Sequence, residues 1–81
     1  MEEIIDFLGR KIAVEILRQS SRKIAPDEKL ISSGLIDSFS LVDLALIVED
    51  QYDVHLDDTE LSADHFDTLR QLAAIVKSRQ G

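Results

Sequence analysis

Three segments of the sequence repeat apolar residues every three or four positions, and this spacing limits the fold more than any other feature. Such spacing places the apolar side chains on one face of an α-helix. The segments run from Glu2 to about Gln19, from Ser38 to about Tyr52, and from Asp67 or Thr68 to about Arg79. Their predicted core positions are Ile5, Leu8, Ile12 and Ile16, then Leu41, Leu44, Ala45, Val48 and Tyr52, then Leu69, Leu72, Ala73 and Val76. The pattern predicts an all-α fold.

A long stretch without periodicity, residues 20–37, separates the first two helices. It contains the only proline, Pro26, and a loop of this length in so small a domain is usually functional. Its apolar residues are expected to fix it to the core; they are Leu30, Ile31, Leu35 and Ile36. The run Asp57–Leu61 is predicted to form one short helix, so we expect three main helices plus a short one.

The length and charge of the chain bound its class. We expect residues 1–81 to form a single domain, and a net charge of −7 argues against binding to nucleic acid or to an anionic membrane. The charge favours partners with basic patches, and the alternative is that it only keeps a small protein soluble. No stretch resembles a membrane span or a signal peptide, so we expect a cytoplasmic monomer. The sequence has no cysteine, so any thioester chemistry needs a thiol from outside the chain.

The second helix carries apolar residues on two opposite sides. Phe39, Val42 and Leu46, called here the apolar strip, fall opposite the predicted core face, and Asp43, Glu49, Asp50 and Asp53 surround them. Because one helix cannot bury both faces against the same core, we expect the strip to be exposed and to serve for docking. The alternative is that Phe39 or Leu46 packs under the long loop.

The pentad Gly34-Leu35-Ile36-Asp37-Ser38 places one hydroxyl at the start of the second helix. No base, thiol or metal ligand lies near Ser38 in the sequence. A phosphate ester on Ser38 would lie where the helix N-terminus favours an anion. A plain serine N-cap is the alternative. Since Asp37 is also able to cap the helix, we favour a modified serine.

The pentad, the second helix and two later runs together resemble the acyl carrier and peptidyl carrier protein family. The later runs are Tyr52-Asp53-Val54-His55-Leu56 and Phe66-Asp67-Thr68-Leu69. The resemblance spans nearly the whole chain. It implies a right-handed bundle of four helices and a non-catalytic role as a stand-alone carrier.

The resemblance also implies a cofactor and partners. Ser38 would receive 4′-phosphopantetheine from coenzyme A through a separate phosphopantetheinyl transferase with Mg²⁺, and Asp37 would assist this loading. The terminal thiol of the arm would hold an acyl or aminoacyl group as a thioester. A loading ligase and a downstream synthase or transferase, with basic docking patches, would be the partners. The residues that match the family's partner-recognition helix are Phe39, Val42, Asp43, Leu46, Glu49 and Asp50.

Two departures from the common family pattern bear on the cargo. Many members have glycine three residues before the serine and leucine directly after it, whereas here Gly34 lies four residues before Ser38 and Phe39 follows it. This form resembles carriers of amino acids, D-alanyl carriers among them, and carriers of specialised pathways. Fatty-acid, polyketide, nonribosomal peptide and aminoacyl-transfer pathways stay open.

Other functional classes are less well supported. His55 and His65 lack further ligands for a metal site, and the acidic run Asp53–Glu60 lacks the central glycine and ligand spacing of a calcium loop. A small hydrolase would need a histidine base and an oxyanion hole around Ser38. A helical interaction module that uses the acidic face of the second helix without any modification is the main alternative to a carrier.

Overall fold

The computed structural model describes residues 2–80 and confirms the all-α prediction. Helix α1 spans Glu2–Lys11, α2 spans Ser38–Tyr52 and α3 spans Leu69–Gln80, and a single 3-10 turn forms at Asp58–Glu60 within the predicted short helix. A long loop joins α1 to α2. Met1 and Gly81, the ends of the predicted single domain, lie outside the described residues.

The first helix changes form before it ends. After α1 the chain continues as a π-helical turn at Ile12–Ile16, in which the Leu17 N–H donates to the Ile12 carbonyl at 2.8 Å. Arg18 then adopts a left-handed φ of 58°, which turns the chain out of the helix. The helical conformation therefore stops at Ile16, before the predicted end near Gln19.

The predicted apolar stripes meet in one hydrophobic core. Of the predicted helix positions, Ile16, Ala45 and Tyr52 are half-buried, and all the others are buried. From the long loop, Leu30 and Ile36 are buried, and Ile31 and Leu35 pack against the core half-buried. The apolar residues of the loop therefore fix it to the core as predicted.

Asp37 caps the N-terminus of α2. Its backbone is extended, with φ −88° and ψ 176°, and its Oδ1 accepts a hydrogen bond from the Ser40 N–H at 2.8 Å. This bond satisfies one of the unpaired donors of the first turn. The same bond to Ser40 lowers the pKa of the Asp37 carboxyl, because it favours the ionised form.

Asp67 joins the long loop to the start of α3. Its Oδ1 accepts from the Ile31 N–H at 2.7 Å and from the Ser32 N–H at 2.9 Å, and its Oδ2 accepts from Ser32 Oγ. Its backbone carbonyl accepts from the Leu30 N–H at 2.6 Å. We call this set of bonds the Asp67 clamp. Burial opposes ionisation of Asp67, but the bonds from Ser32 and Ile31 outweigh it and hold its pKa below the ordinary value.

Asp67 and Thr68 are both residue types that cap helices, and Thr68 is the one that caps α3. Its Oγ1 accepts from the Gln71 N–H at 3.1 Å. The Asp67 side chain reaches the long loop instead, because the backbone donors of Ile31 and Ser32 lie against it. Nearby, the Arg70 guanidinium makes an exposed pair with the Asp27 carboxylate, at 2.8 Å and 3.2 Å.

Because one side of α2 is buried and the other exposed, truncation of a leucine should lower the free energy of unfolding much more on the buried side. Leu44 is fully buried and Leu46 is 57% exposed. We expect Leu44→Ala to lower the free energy of unfolding by about 3 kcal/mol, because it leaves a cavity in the core. Leu46→Ala is expected to change it by about 0.5 kcal/mol or less. Urea denaturation of the two variants measures both values, and equal losses would contradict the two-sided helix.

The capping geometry predicts different roles for two adjacent residues. Asp37→Ala should lower the melting temperature because it removes the cap of α2. Ser38→Ala should change the free energy of unfolding by no more than about 0.5 kcal/mol, since Ser38 is exposed and does not form the cap. Thermal unfolding followed by circular dichroism measures both effects.

The effect of the cap should also depend on pH. The folded pKa of Asp37 is lowered, so its stabilisation is complete above the pKa of the unfolded chain and is lost as the pH falls through the folded value. The difference in melting temperature between wild type and Asp37→Ala should therefore shrink below about pH 4. A difference that stays constant into strong acid would contradict a cap by the carboxylate.

Candidate functional site

Ser38 is an exposed hydroxyl at the first residue of α2. Within residues 2–80, its Oγ forms no hydrogen bond, because the cap of the helix is made by Asp37. The side chain two positions earlier, Ile36, is only 2% exposed. The hydroxyl therefore stands in solvent two residues after a side chain that is anchored in the core.

A tight turn brings the chain to this point, and Gly34 makes it possible. The Gly34 N–H donates to the Ile31 carbonyl at 3.0 Å, and the Ile36 N–H donates to the Leu30 carbonyl at 2.9 Å. Gly34 has a φ of +81°, which other residues rarely adopt, and a side chain at this position would meet open space. The requirement for glycine is therefore one of backbone conformation. It explains the position of Gly34 four residues before Ser38.

The apolar strip on α2 is exposed. Phe39 is 85% exposed, Leu46 is 57% exposed and Val42 is 50% exposed. These values show that the alternative, in which Phe39 or Leu46 packs under the long loop, is wrong. Beside the strip, an open groove between α1 and α2 is lined by Phe7 and Lys11 on one side and by Leu46 and Asp50 on the other.

The part of the sequence that contains the strip is acidic. Residues 31–69 contain ten of the sixteen acidic residues and no lysine or arginine. Asp43, Glu49 and Asp50 are exposed on α2, and the Glu49 carboxylate lies 4.0 Å from the His55 ring. The structure thus places exposed carboxylates and exposed apolar side chains on the same helix as Ser38.

The remaining candidates from the sequence do not form a metal centre. His55 Nε2 lies 3.1 Å from Asp57 Oδ1, and His65 Nδ1 lies 3.3 Å from Ser62 Oγ. In the described part of the chain, no group of three or more histidine, aspartate or glutamate side chains is arranged to hold a metal ion. Each histidine has instead a local polar neighbour at the surface.

The sequence reasoning missed the role of Asp67 near the site. Two cap-forming residues in succession, Asp67 and Thr68, were the available signal, because a helix needs only one of them at its N-cap. The second is therefore free to bond elsewhere. The partner of Asp67 lies 35 to 36 residues away in the chain, a separation that no local pattern reveals.

Comparisons with known proteins agree with this geometry. A family model described as a phosphopantetheine attachment site matches residues 10–76. The chain is 30% identical to the D-alanyl carrier protein of Bacillus subtilis (strain 168) over 67 residues, which cover 83% of this chain and 80% of the relative. It is also 30% identical to the D-alanyl carrier protein of Leuconostoc citreum (strain KM20) over 80 residues, which cover 99% and 95%. No solved structure gives a significant match.

These comparisons decide between the alternatives left by the sequence. The family is one of non-catalytic carriers, so neither a hydrolase nor a module without a prosthetic group fits it. Such a carrier works with a phosphopantetheinyl transferase and with loading and acceptor enzymes. Within residues 2–80, none of the helices has the length and apolar character needed to cross a membrane. The chain belongs to the phosphopantetheine attachment site family, and its prosthetic group is 4′-phosphopantetheine.

Proposed function

We propose that Ser38 bears the 4′-phosphopantetheine arm and that the protein carries an aminoacyl group on it as a thioester. The observation that carries the proposal is the exposed Ser38 hydroxyl at the start of α2, which the cap of the helix does not use. A hydroxyl without a structural partner is available for modification. The family match supplies the chemistry of that modification.

The residues around Ser38 fit a phosphate ester. Ser38 is the first residue of a helix of 15 residues, and the N–H groups of such a first turn carry a partial positive charge. The exposed position leaves the phosphate and the long arm in solvent without displacing any core residue. The chain has no cysteine, so the thiol of the arm is the thiol available for a thioester.

In the proposed loading reaction, Ser38 Oγ attacks the phosphorus of coenzyme A that bears the pantetheine. The bond from this phosphorus to the bridging oxygen of the diphosphate breaks, and adenosine 3′,5′-bisphosphate leaves. The proton of the hydroxyl passes to a base of the transferase. The new phosphodiester joins the arm to Ser38, and no redox change occurs.

We propose that Asp37 assists this reaction. Hydrogen bonding, first from the Ser40 N–H, lowers the pKa of the Asp37 carboxyl, and an aspartate is ionised at neutral pH even at its ordinary pKa. Oδ1 accepts a hydrogen bond from the Ser40 N–H, and the carboxylate is exposed at the surface. Oxygen ligands of this kind suit Mg²⁺. We infer that Asp37 caps α2 with one oxygen and offers the other to the metal of the transferase.

The relatives indicate the class of cargo. D-alanyl carrier proteins from Bacillus subtilis and Leuconostoc citreum match over most of this chain and most of their own length. We therefore infer that the loading partner activates an amino acid, with D-alanine as the first candidate. A cytoplasmic location, where coenzyme A is at hand, remains a prediction.

Docking of partners is assigned to α2. The apolar strip supplies the exposed contact area, and Asp43, Glu49 and Asp50 supply charge. Basic patches on partner enzymes would be attracted to this surface, and encounters of this type are fast and sensitive to salt. The strip begins with Phe39, directly after Ser38, so a partner that docks on it lies next to the arm.

Incubation with coenzyme A, Mg²⁺ and a phosphopantetheinyl transferase of broad specificity tests the attachment site. We expect wild type to gain the mass of one arm and Ser38→Ala to gain none. Peptide mapping of the product should place the arm on the peptide that contains Ser38. Ser40→Ala is the matched control, since it removes a nearby α2 hydroxyl that is not the proposed site.

Two outcomes of this experiment would overturn the assignment. One is a wild-type protein, folded by circular dichroism, that gains no mass. The other is an equal gain on wild type and on Ser38→Ala. A full mass gain on Ser40→Ala would show that the block in Ser38→Ala is specific to Ser38, since removal of a neighbouring hydroxyl has no such effect.

Charge reversal on α2 tests the docking surface. Asp43→Lys should raise the KM of the loading enzymes for this carrier about fivefold or more at low salt, since a favourable contact becomes repulsive. The melting temperature should change little, because Asp43 is exposed. Asp64→Lys, an equal charge change on an exposed turn after the 3-10 turn, is the control. Equal effects of the two reversals would show that only net charge matters.

A further inference from the structure

Every polar group of Asp67 forms a hydrogen bond, either to the long loop or to α3. The carboxylate receives two backbone N–H groups, of Ile31 and Ser32, and the Ser32 hydroxyl. Its carbonyl receives the Leu30 N–H, and its own N–H donates to Gln71 Oε1 at 2.7 Å. The residue is only 7% exposed. A buried carboxylate whose every bond crosses between two segments fixes their relative position.

The segment held by Asp67 leads directly to Ser38. Within residues 2–80, Asp67 is the one residue outside 29–36 that receives a hydrogen bond from residues 30–36. The bond from the Ile36 N–H to the Leu30 carbonyl then closes the turn two residues before Ser38. Displacement of Leu30 or Ser32 from α3 would therefore be transmitted to the start of α2.

We propose that Asp67 is a positioning residue for the loading of Ser38, because the Asp67 clamp fixes the turn that presents the hydroxyl at the start of α2. This inference rests on the proposed attachment of the arm to Ser38. Asp67 lies 29 positions later in the chain and does not react itself. Its effect on loading passes through Ile31, Ser32 and the turn at Gly34.

The role predicts a particular change in the kinetics of loading. Transfer to Ser38 requires its hydroxyl to lie in line with the phosphorus, and small displacements of a reacting group cost large factors in rate. The apolar strip and the acidic side chains of α2, which are the proposed docking surface, make none of the hydrogen bonds of the Asp67 clamp. Asp67→Asn, which keeps one oxygen for the backbone donors and loses the second acceptor, should therefore lower kcat about tenfold and leave KM within about twofold.

The experiment measures kcat and KM of a phosphopantetheinyl transferase for each carrier variant, by intact mass, at a temperature where circular dichroism shows every variant folded. Val76→Ala is the control for general destabilisation, because Val76 is a fully buried α3 residue. It should leave kcat unchanged. In NMR spectra of the unmodified variants, the Ser38 amide signal should shift in Asp67→Asn and not in Val76→Ala.

A second pair of variants tests the clamp by removing single hydroxyls from exposed residues, a smaller change that should leave the protein folded. Ser32→Ala removes the hydroxyl that donates to Asp67, and Ser33→Ala removes one that donates to the Lys29 carbonyl. We expect kcat to fall about threefold for Ser32→Ala and to stay unchanged for Ser33→Ala. Equal kcat values within this pair, or within the pair Asp67→Asn and Val76→Ala, would overturn the positioning role.

The same assay separates this inference from the proposed function. A wild-type protein that takes no arm would overturn the attachment to Ser38, and the amide shifts would still show whether Asp67 sets the position of Ser38. A wild type that is loaded, with Asp67→Asn loaded at the same kcat, would overturn the positioning role alone.

Discussion

The carboxylate of Asp67, bonded to the backbone of Ile31 and Ser32, ties the longest irregular segment of the chain to α3. Eighty-one residues offer one small core, and a loop of this length would cost much conformational entropy to order by apolar contacts alone. Leu30 and Ile36 supply those contacts, and the directional hydrogen bonds of the clamp fix the orientation of the loop. The location of Ser38 follows from both, because the ordered loop ends where α2 begins.

The two sides of helix α2 meet different surroundings. Leu41, Leu44 and Val48 are buried in the core, while Phe39, Val42 and Leu46 remain exposed. A helix with apolar residues on both sides gains less from folding than one that buries them all. The exposed strip, next to acidic side chains and Ser38, is better explained by encounters with other proteins than by stability of the fold.

Much of this arrangement could be predicted from the sequence. The bounds of α2 and the burial of Leu44 follow from helical spacing, because local periodicity reports directly on the face that packs. The exposure of Phe39 follows from the same reasoning, since it lies opposite the core face. The π-helical turn at Ile12–Ile16 and the left-handed backbone of Arg18 were not predicted. The amino acids of the turn are ordinary helix residues, and arginine is not a residue type that favours a positive φ. The clamp was missed because Asp67 bonds to residues distant in the chain.

The central claim is that this protein carries an amino acid on an arm attached to Ser38. The most direct measurement is the intact mass and peptide map of the protein purified from its native host under conditions that preserve thioesters. The account predicts one phosphopantetheine arm on the peptide that contains Ser38, with part of the population bearing the added mass of a single small amino acid. An unmodified Ser38, or an arm loaded with a long fatty acyl chain, would contradict it.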